Sequence, residues 1–306
     1  MTKKWMRSAA LAASCSALAL TAACGTQHAQ GQQTVKTKTE AGSLPDATSR
    51  AKWPTAQVES GLAAGMRLPL EDYMVSYPDE VDVENAKDKV KTACMARLGF
   101  TFAPPASGTT PALSYDGMNM ERRYGITDAK TAQTYGYQVP AAAQEPADDT
   151  AAEEAKEGRT DNWYEALENT CIPEANKKVG ILYETDIAGD LAAESLEVTK
   201  TNLKVQAALS NWSACMARKS YTKFPEPLQA GESFAQSTGT QASQTEIDTA
   251  VADVDCKESS GLVKSWFSAE TSRQTQQIGD HKAELDAEKA RNTKMIETAR
   301  AILGQN

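Results

Sequence analysis

The residues best able to do chemistry in this chain are its six cysteines, its two histidines, and a run of arginines and tyrosines between residues 122 and 137. Thiols act as nucleophiles, metal ligands or structural staples. Cys94, Cys171, Cys215 and Cys256 form no C-x-x-C pair and lie far apart, whereas zinc sites gather Cys and His at short spacings. An even set in an exported chain reads as disulfides. His28 sits in a polar N-terminal stretch and His281 in a charged one, which removes Ser-His-Asp triads, Cys-His pairs and the usual catalytic zinc sites. There is no Gly-rich phosphate loop, no G-x-S-x-G, no S-x-x-K and no EF-hand spacing, so no metal or cofactor is expected.

Carboxylates and tyrosines leave two functional options. A glycosidase needs only two acidic residues, and the chain has 41. The nearest to an apolar, aromatic setting are Glu165 and Glu168 in "NWYEALE" and Asp253 and Asp255 in "VADVDC". A helix-surface or capping role suits both better. The most distinctive polar-aromatic stretch is "RRYGITDAKTAQTYGY", where Arg122, Arg123, Tyr124, Tyr135 and Tyr137 flank a short helix that Thr127 can cap. Tyrosine faces stack on sugars and paired arginines clasp carboxylates, which fits a cell-wall glycan or peptide. The competing reading, which the sequence favours, has the tyrosines packing this insertion onto a helical bundle and the arginines paired to nearby acids.

The N-terminus supplies an address. Lys3, Lys4 and Arg7 precede an apolar run from Ser8 to Ala23, too short for a membrane span and suited to a signal peptide. The run ends in "LTAACGT", which resembles the lipobox of bacterial lipoproteins and makes residues 1–23 the signal and Cys24 the lipidated N-terminus. Thr21 departs from the commoner Leu, Val or Ile, and cleavage at Cys15 would leave a hydrophobic core at the lower limit for a signal. The alternative is an ordinary secretory signal with an incidental cysteine. Loss of three basic residues takes the net charge from −9 to −12, which speaks against nucleic acid and against an electrostatic grip on anionic lipid. Residues 24–52 are polar, Gln- and Thr-rich, and read as a flexible tether. Residues 140–158 and 229–244 are further low-complexity excursions.

Between these stretches the pattern is helical, and the expected fold is mostly α: a helical bundle of two related units, 53–185 with a long insertion and 186–306 with a long C-terminal helix. Val83, Ala86, Val90 and Ala93 step by three and four toward Gly99, a natural C′ residue. Leu191, Val198, Val205 and Trp212 recur every seven residues, as do Ser195, Asn202, Leu209 and Met216, a heptad-like stripe for one packed helix. "SQTE" at 243–246 is a capping-box pattern, and Gly261 and Gly279 are the breaks expected after it. The thin stripe Leu285, Asn292, Ile296, Ala299 and Leu303 is expected to dock back on the bundle, the alternative being an antiparallel coiled contact with another protein.

"ACMARLGF" at 93–100 and "ACMARKSY" at 214–221 are two copies of one phrase, each followed later by a lone cysteine, 171 and 256. Two copies of one unit are most simply closed within each copy, as Cys94–Cys171 and Cys215–Cys256; 94–215 with 171–256 remains the rival. Together with "PLEDYMVSYPDEVDVENAKDKVKTACMARLGFTF", "RRYGITDAKTAQTYGYQVP", "WYEALENTC", "NWSACMARKSYTKFP" and "AVADVDCKESSGLVKSW", this resembles a group of secreted actinobacterial lipoproteins. The resemblance implies a Gram-positive, high-GC host and a cysteine-stapled helical fold, with no assigned activity and no catalytic residue. Ser220 departs from the pattern by standing where the first copy has Gly99.

The expected function is therefore that of a binding or structural module on the outer face of the cell membrane. Its expected contacts are the membrane, through the lipid on Cys24, and a cell-wall glycan or envelope protein. A carboxylate-based cell-wall hydrolase is the alternative, and a solute-binding lipoprotein is disfavoured by the weak strand signal. A hydrolase should carry a concave pocket with a buried Asp or Glu; an interaction protein should show a flat or apolar exposed patch.

Overall fold

The computed structural model describes residues 58–104, 107–108, 120–138, 159–221, 224–234 and 241–305, so the signal, Cys24, the tether and the 140–158 stretch lie outside the described residues. A 3₁₀ turn at Pro69–Tyr73 leads into α1 (Tyr77–Arg97), α2 (Ala129–Tyr135), α3 (Asp161–Ala166), α4 (Ile172–Val179), α5 (Ile187–Thr199), α6 (Leu203–Arg218), α7 (Pro227–Glu232), α8 (Gln244–Ser260), α9 (Leu262–Asp280) and α10 (Lys282–Leu303). No strand occurs among the described residues, and the fold is the expected mostly-α bundle.

Local chemistry sets the helix ends. Ser76 Oγ accepts from the Asp79 N–H, Pro78 stands in the first turn, and Asp79 and Glu80 meet the positive end of α1. At its exit Gly99 takes φ +84° and Phe100 N–H donates back to Met95 O at 2.9 Å. The second copy repeats this: Tyr221 N–H donates to Met216 O at 3.1 Å, and Ser220 takes φ +69°. Both exits are the left-handed closure in which C″ reaches back to C3, and a non-glycine residue holds that turn against its own Cβ. Met95 and Met216 are fully buried in the core, while Arg97 and Arg218 are exposed.

The repeat also holds for the staples. Cys94 is bonded to Cys171 and Cys215 to Cys256, with Cα–Cα distances of 5.5 and 5.6 Å, so the pairing is within each copy. Cys171 reaches its partner from a π-helical turn, Leu167–Cys171, that joins α3 to α4.

The stripe from 191 to 216 is not one helix. It breaks after Thr199, and Asn202 starts α6 by accepting from Lys204 N–H at 2.9 Å. Val198 is 44% exposed and Leu203 82%. The run Thr199, Lys200, Thr201, Asn202 offers side-chain bonds that compete with a continuing helix, and this local preference outweighs the seven-residue period. The "SQTE" cap is present, with Glu246 N–H donating to Ser243 Oγ, and Gly261 turns the chain between α8 and α9 at φ +64°. The next break falls at His281, two residues past Gly279.

The largest core gathers Trp212 of α6, Trp266 of α9, Met216, Leu262 and Tyr124. Burying each tryptophan contributes roughly 3 kcal/mol. A second core joins α1, α4 and α10 through Val83, Ala86, Val90, Val179, Met295 and Ala299, so the last helix docks within the chain. A third, Leu70, Ala188, Leu191 and Leu285, packs the 3₁₀ turn onto α5 and α10. Contacts thus run across residue 186: α10 lies along α1, and Tyr124 enters the core of α6 and α9.

Candidate functional site

The arginine–tyrosine stretch is turned inward. Arg123 grips Glu270 in a two-pronged pair, Nη2 to Oε1 at 2.6 Å and Nε to Oε2 at 3.0 Å, and also donates to Ala192 O. Tyr124 is 1% exposed, lies 5.3 Å from the Trp266 ring and donates to Glu270 Oε2 at 2.6 Å. Burial, then the Glu270 charge, pushes its phenol well above the usual range. Arg122 donates to the carbonyls of Tyr137 and Gln138, and Tyr137 donates to Asp253 Oδ2 while stacking on Phe234. Tyr135 alone of the three tyrosines stays substantially exposed. Asp128, not Thr127, caps the short helix α2.

Beneath this stretch lies a fully buried ion pair. Lys257 Nζ donates to Asp253 Oδ2 at 2.9 Å and to Ile126 O at 2.7 Å, and Trp212 Nε1 donates to Asp253 Oδ1 at 2.8 Å; both charged side chains are 0% exposed. Gly125, at φ +74°, leaves room for the ammonium: a Cβ there would sit 2.9 Å from Lys257 Nζ. Burial pushes Asp253 up and Lys257 down, each opposed by the partner's charge. With every Asp253 oxygen occupied, the pair fastens the insertion to α8. Of the other acids singled out from sequence, Glu165 and Glu168 are exposed on α3 and its π turn, and Asp255 pairs with Lys219 at the surface.

The concave site lies elsewhere. A cleft of about 510 Å³ opens between the 3₁₀ turn, the start of α1, the loop before α5, and α10; Tyr73, Tyr77, Tyr183, Arg123, Asp186 and Glu288 line it. Glu288 is 1% exposed and accepts from Thr185 Oγ1 (2.7 Å), Ile187 N–H (2.9 Å) and Ala188 N–H (3.1 Å), tying α10 to the start of α5. Asp186 accepts from Gly189 N–H, and partial burial, reinforced by Glu288 and Asp190, raises its pKa. Tyr183 is 50% exposed and held at φ +56°, a conformation that bulky residues adopt only where the surroundings impose it. Lys289 Nζ stands 5.3 Å from the centre of the Tyr73 ring, so that face already receives a cation.

Comparisons with protein-family models, curated proteins and solved structures found no match. Among the described residues no group of three His, Cys, Asp or Glu is placed to hold a metal, and no helix is long and apolar enough to cross a membrane.

Sequence reasoning missed Tyr73, Tyr77, Tyr183, Asp186 and Glu288. The one local signal was the pair of tyrosines in "DYMVSY", four residues apart ahead of a capped helix. Only the fold brings Tyr183 and Glu288 to them.

Proposed function

We propose that this is a lipid-anchored envelope protein, tethered by Cys24 to the outer face of the cell membrane, whose folded body is a binding module for a cell-wall glycan or peptide. Two disulfides suit an oxidising compartment, and the lipobox-like "LTAACGT" and the resemblance to actinobacterial lipoproteins support the same address. The observation that carries the binding reading is the tyrosine-lined cleft, open to solvent. A concave pocket with a buried acid is what a hydrolase is expected to carry, but Glu288 is bonded through both oxygens to Thr185, Ile187 and Ala188, and Asp253 and Glu270 are likewise saturated by internal partners. Tyrosine faces accept sugar rings or peptide groups, and the partly exposed carboxylate of Asp186 favours an amine-bearing ligand.

The test is retention of the mature chain on insoluble peptidoglycan. Tyr183→Ala removes an exposed ring without emptying the core, and it should abolish retention. Absent retention of the parent chain, or retention unchanged in the variant, rejects the reading. A hydrolase is the second reading, favoured by a concave cleft that holds buried Glu288 beside an Asp186 whose proton is held more tightly than usual. It requires release of soluble reducing ends from peptidoglycan, lost in Asp186→Asn; no release by the parent protein sinks it.

A further inference from the structure

A second pocket adjoins the cleft on the other side of the 180–186 loop. It encloses about 260 Å³ between the end of α4 and the middle of α10, and its walls carry four cations: Lys177, Lys178, Arg291 and Lys294. Glu184 is the one acidic residue in those walls, and buried Val179 and Met295 form an apolar floor. All four cations are exposed. Arg291 is held by Thr185 Oγ1 and lies 3.8 Å from Glu288, but Lys177, Lys178 and Lys294 have no ion-pair partner among the described residues. Elsewhere among the described residues Arg67, Arg97, Lys200, Lys219, Arg273 and Arg300 pair with carboxylates, whereas exposed Lys130, Lys204, Arg218 and Lys264 stand singly; what sets this pocket apart is that its cations share one space. The negative end of the α4 dipole accounts for Lys177 and Lys178. It does not account for Arg291 and Lys294, which come from another helix and converge on the same space. In a chain of net charge −9, such a gathering offers an anion a local positive seat.

The rim of this pocket is apolar. Gly180, at φ +122°, lies so close to α10 that a Cβ would meet Met295 Sδ at 2.9 Å, which pins the loop. Just beyond it Ile181 is 46% exposed. An exposed aliphatic side chain beside a cluster of lysines is the composition of a membrane-interface contact: the methyls enter the headgroup layer and the cations meet lipid phosphates. Overall charge speaks against a grip on anionic lipid, but binding depends on the local balance, and here four cations stand against Glu184.

We propose that this pocket seats the phosphate of an anionic phospholipid headgroup, with Ile181 entering the interface and Tyr183 left to the neighbouring cleft, so that the body docks on the leaflet instead of hanging free from its anchor. The test uses the oxidised mature chain, residues 24–306, with Cys24→Ser so that no acyl chain contributes. It should co-sediment with vesicles of phosphatidylglycerol and phosphatidylcholine, detach in 0.5 M salt, and ignore vesicles of phosphatidylcholine alone. Each basic residue near such a surface contributes about five-fold to partitioning, so K178A/K294A should weaken binding about twenty-five-fold. Ile181→Ser should weaken it while leaving the salt dependence intact. These residues are exposed, and an unchanged thermal melt checks that the variants fold. Equal binding to both vesicle types, no binding, or binding indifferent to K178A/K294A overturns the proposal. So does calorimetric binding of inorganic phosphate that K178A/K294A abolishes but that has no vesicle counterpart, since that result identifies a soluble phosphate ligand.

Discussion

Replacing Lys257 by Met tests the buried pair most sharply. At 2.9 Å and an effective dielectric near 20, Lys257 and Asp253 attract by about 6 kcal/mol, which the cost of burying both charges largely offsets. Removing only the lysine leaves Asp253 sealed in the core with Trp212 and Tyr137 as its remaining donors. Such an orphaned charge costs about 3–5 kcal/mol. Its alternative is to take up a proton, and holding an aspartate protonated at pH 7 against a usual pKa near 3.9 costs about 4 kcal/mol, the same size. The two routes differ in pH dependence. A carboxyl whose folded pKa lies above its unfolded value gives its full stability below the unfolded pKa and loses it as pH rises. The K257M penalty should therefore shrink by about 1.4 kcal/mol per unit as pH falls from 7 to 5. D253N/K257M keeps an acceptor for Trp212 without the charge and should recover most of the loss. Urea unfolding of the oxidised protein, followed by the fluorescence of buried Trp212 and Trp266, reads all three forms. A penalty that stays constant with pH, together with a double variant no better than K257M, would refute the reasoning.

The twin helix exits predict opposite responses to one change: Ser220→Gly should stabilise by about 1 kcal/mol, and Gly99→Ala should destabilise by about the same amount, both read as shifts in the urea midpoint. Removing either disulfide by paired Cys→Ser should cost about 4 kcal/mol in the chain-entropy account; the 77-residue loop should exceed the 41-residue loop by only about half a kcal/mol, and a gap of several would point to native-state contacts instead. Asp128 is raised by burial, but bonds from Thr131, Ser60 and Lys130 outweigh that and hold it below the usual carboxylate range. Its stabilisation is present above the ordinary aspartate pKa and disappears as pH falls through the lower folded value. Asp128→Asn should thus flatten the acid limb of a melting-temperature profile between pH 2 and 5, and parallel limbs would dismiss the assignment.

What the sequence revealed was local. The helix exit of α1, the cap at Ser243 and the cysteine pairing all follow from residues within a few positions or from one repeated phrase. The stripe from Leu191 to Met216 misled because counting every seventh residue cannot register that Thr199 to Asn202 prefer to end one helix and cap the next. The stretch from Arg122 to Tyr137 was identified by residue type, but whether a tyrosine faces a ligand or the core depends on Glu270 and Asp253, more than a hundred positions away. The cleft and the basic pocket were illegible for the same reason. Tyr73, Tyr183 and Glu288 share no spacing, and four clustered cations vanish within a net charge of −9.

The two covalent rings, 94–171 and 215–256, neither nest nor cross. Each native bond joins a cysteine to the next one to appear in the chain. A polypeptide threaded outward from its N-terminus therefore presents its thiols in matched order, and an oxidant that links them as they emerge builds the correct pairs without later reshuffling. Acylation of Cys24, as proposed above, would withdraw the one earlier thiol of the mature chain that could intrude. If the chain is exported from its N-terminus, as proposed above, cross-link order follows the direction of export and an oxidase alone suffices to staple it.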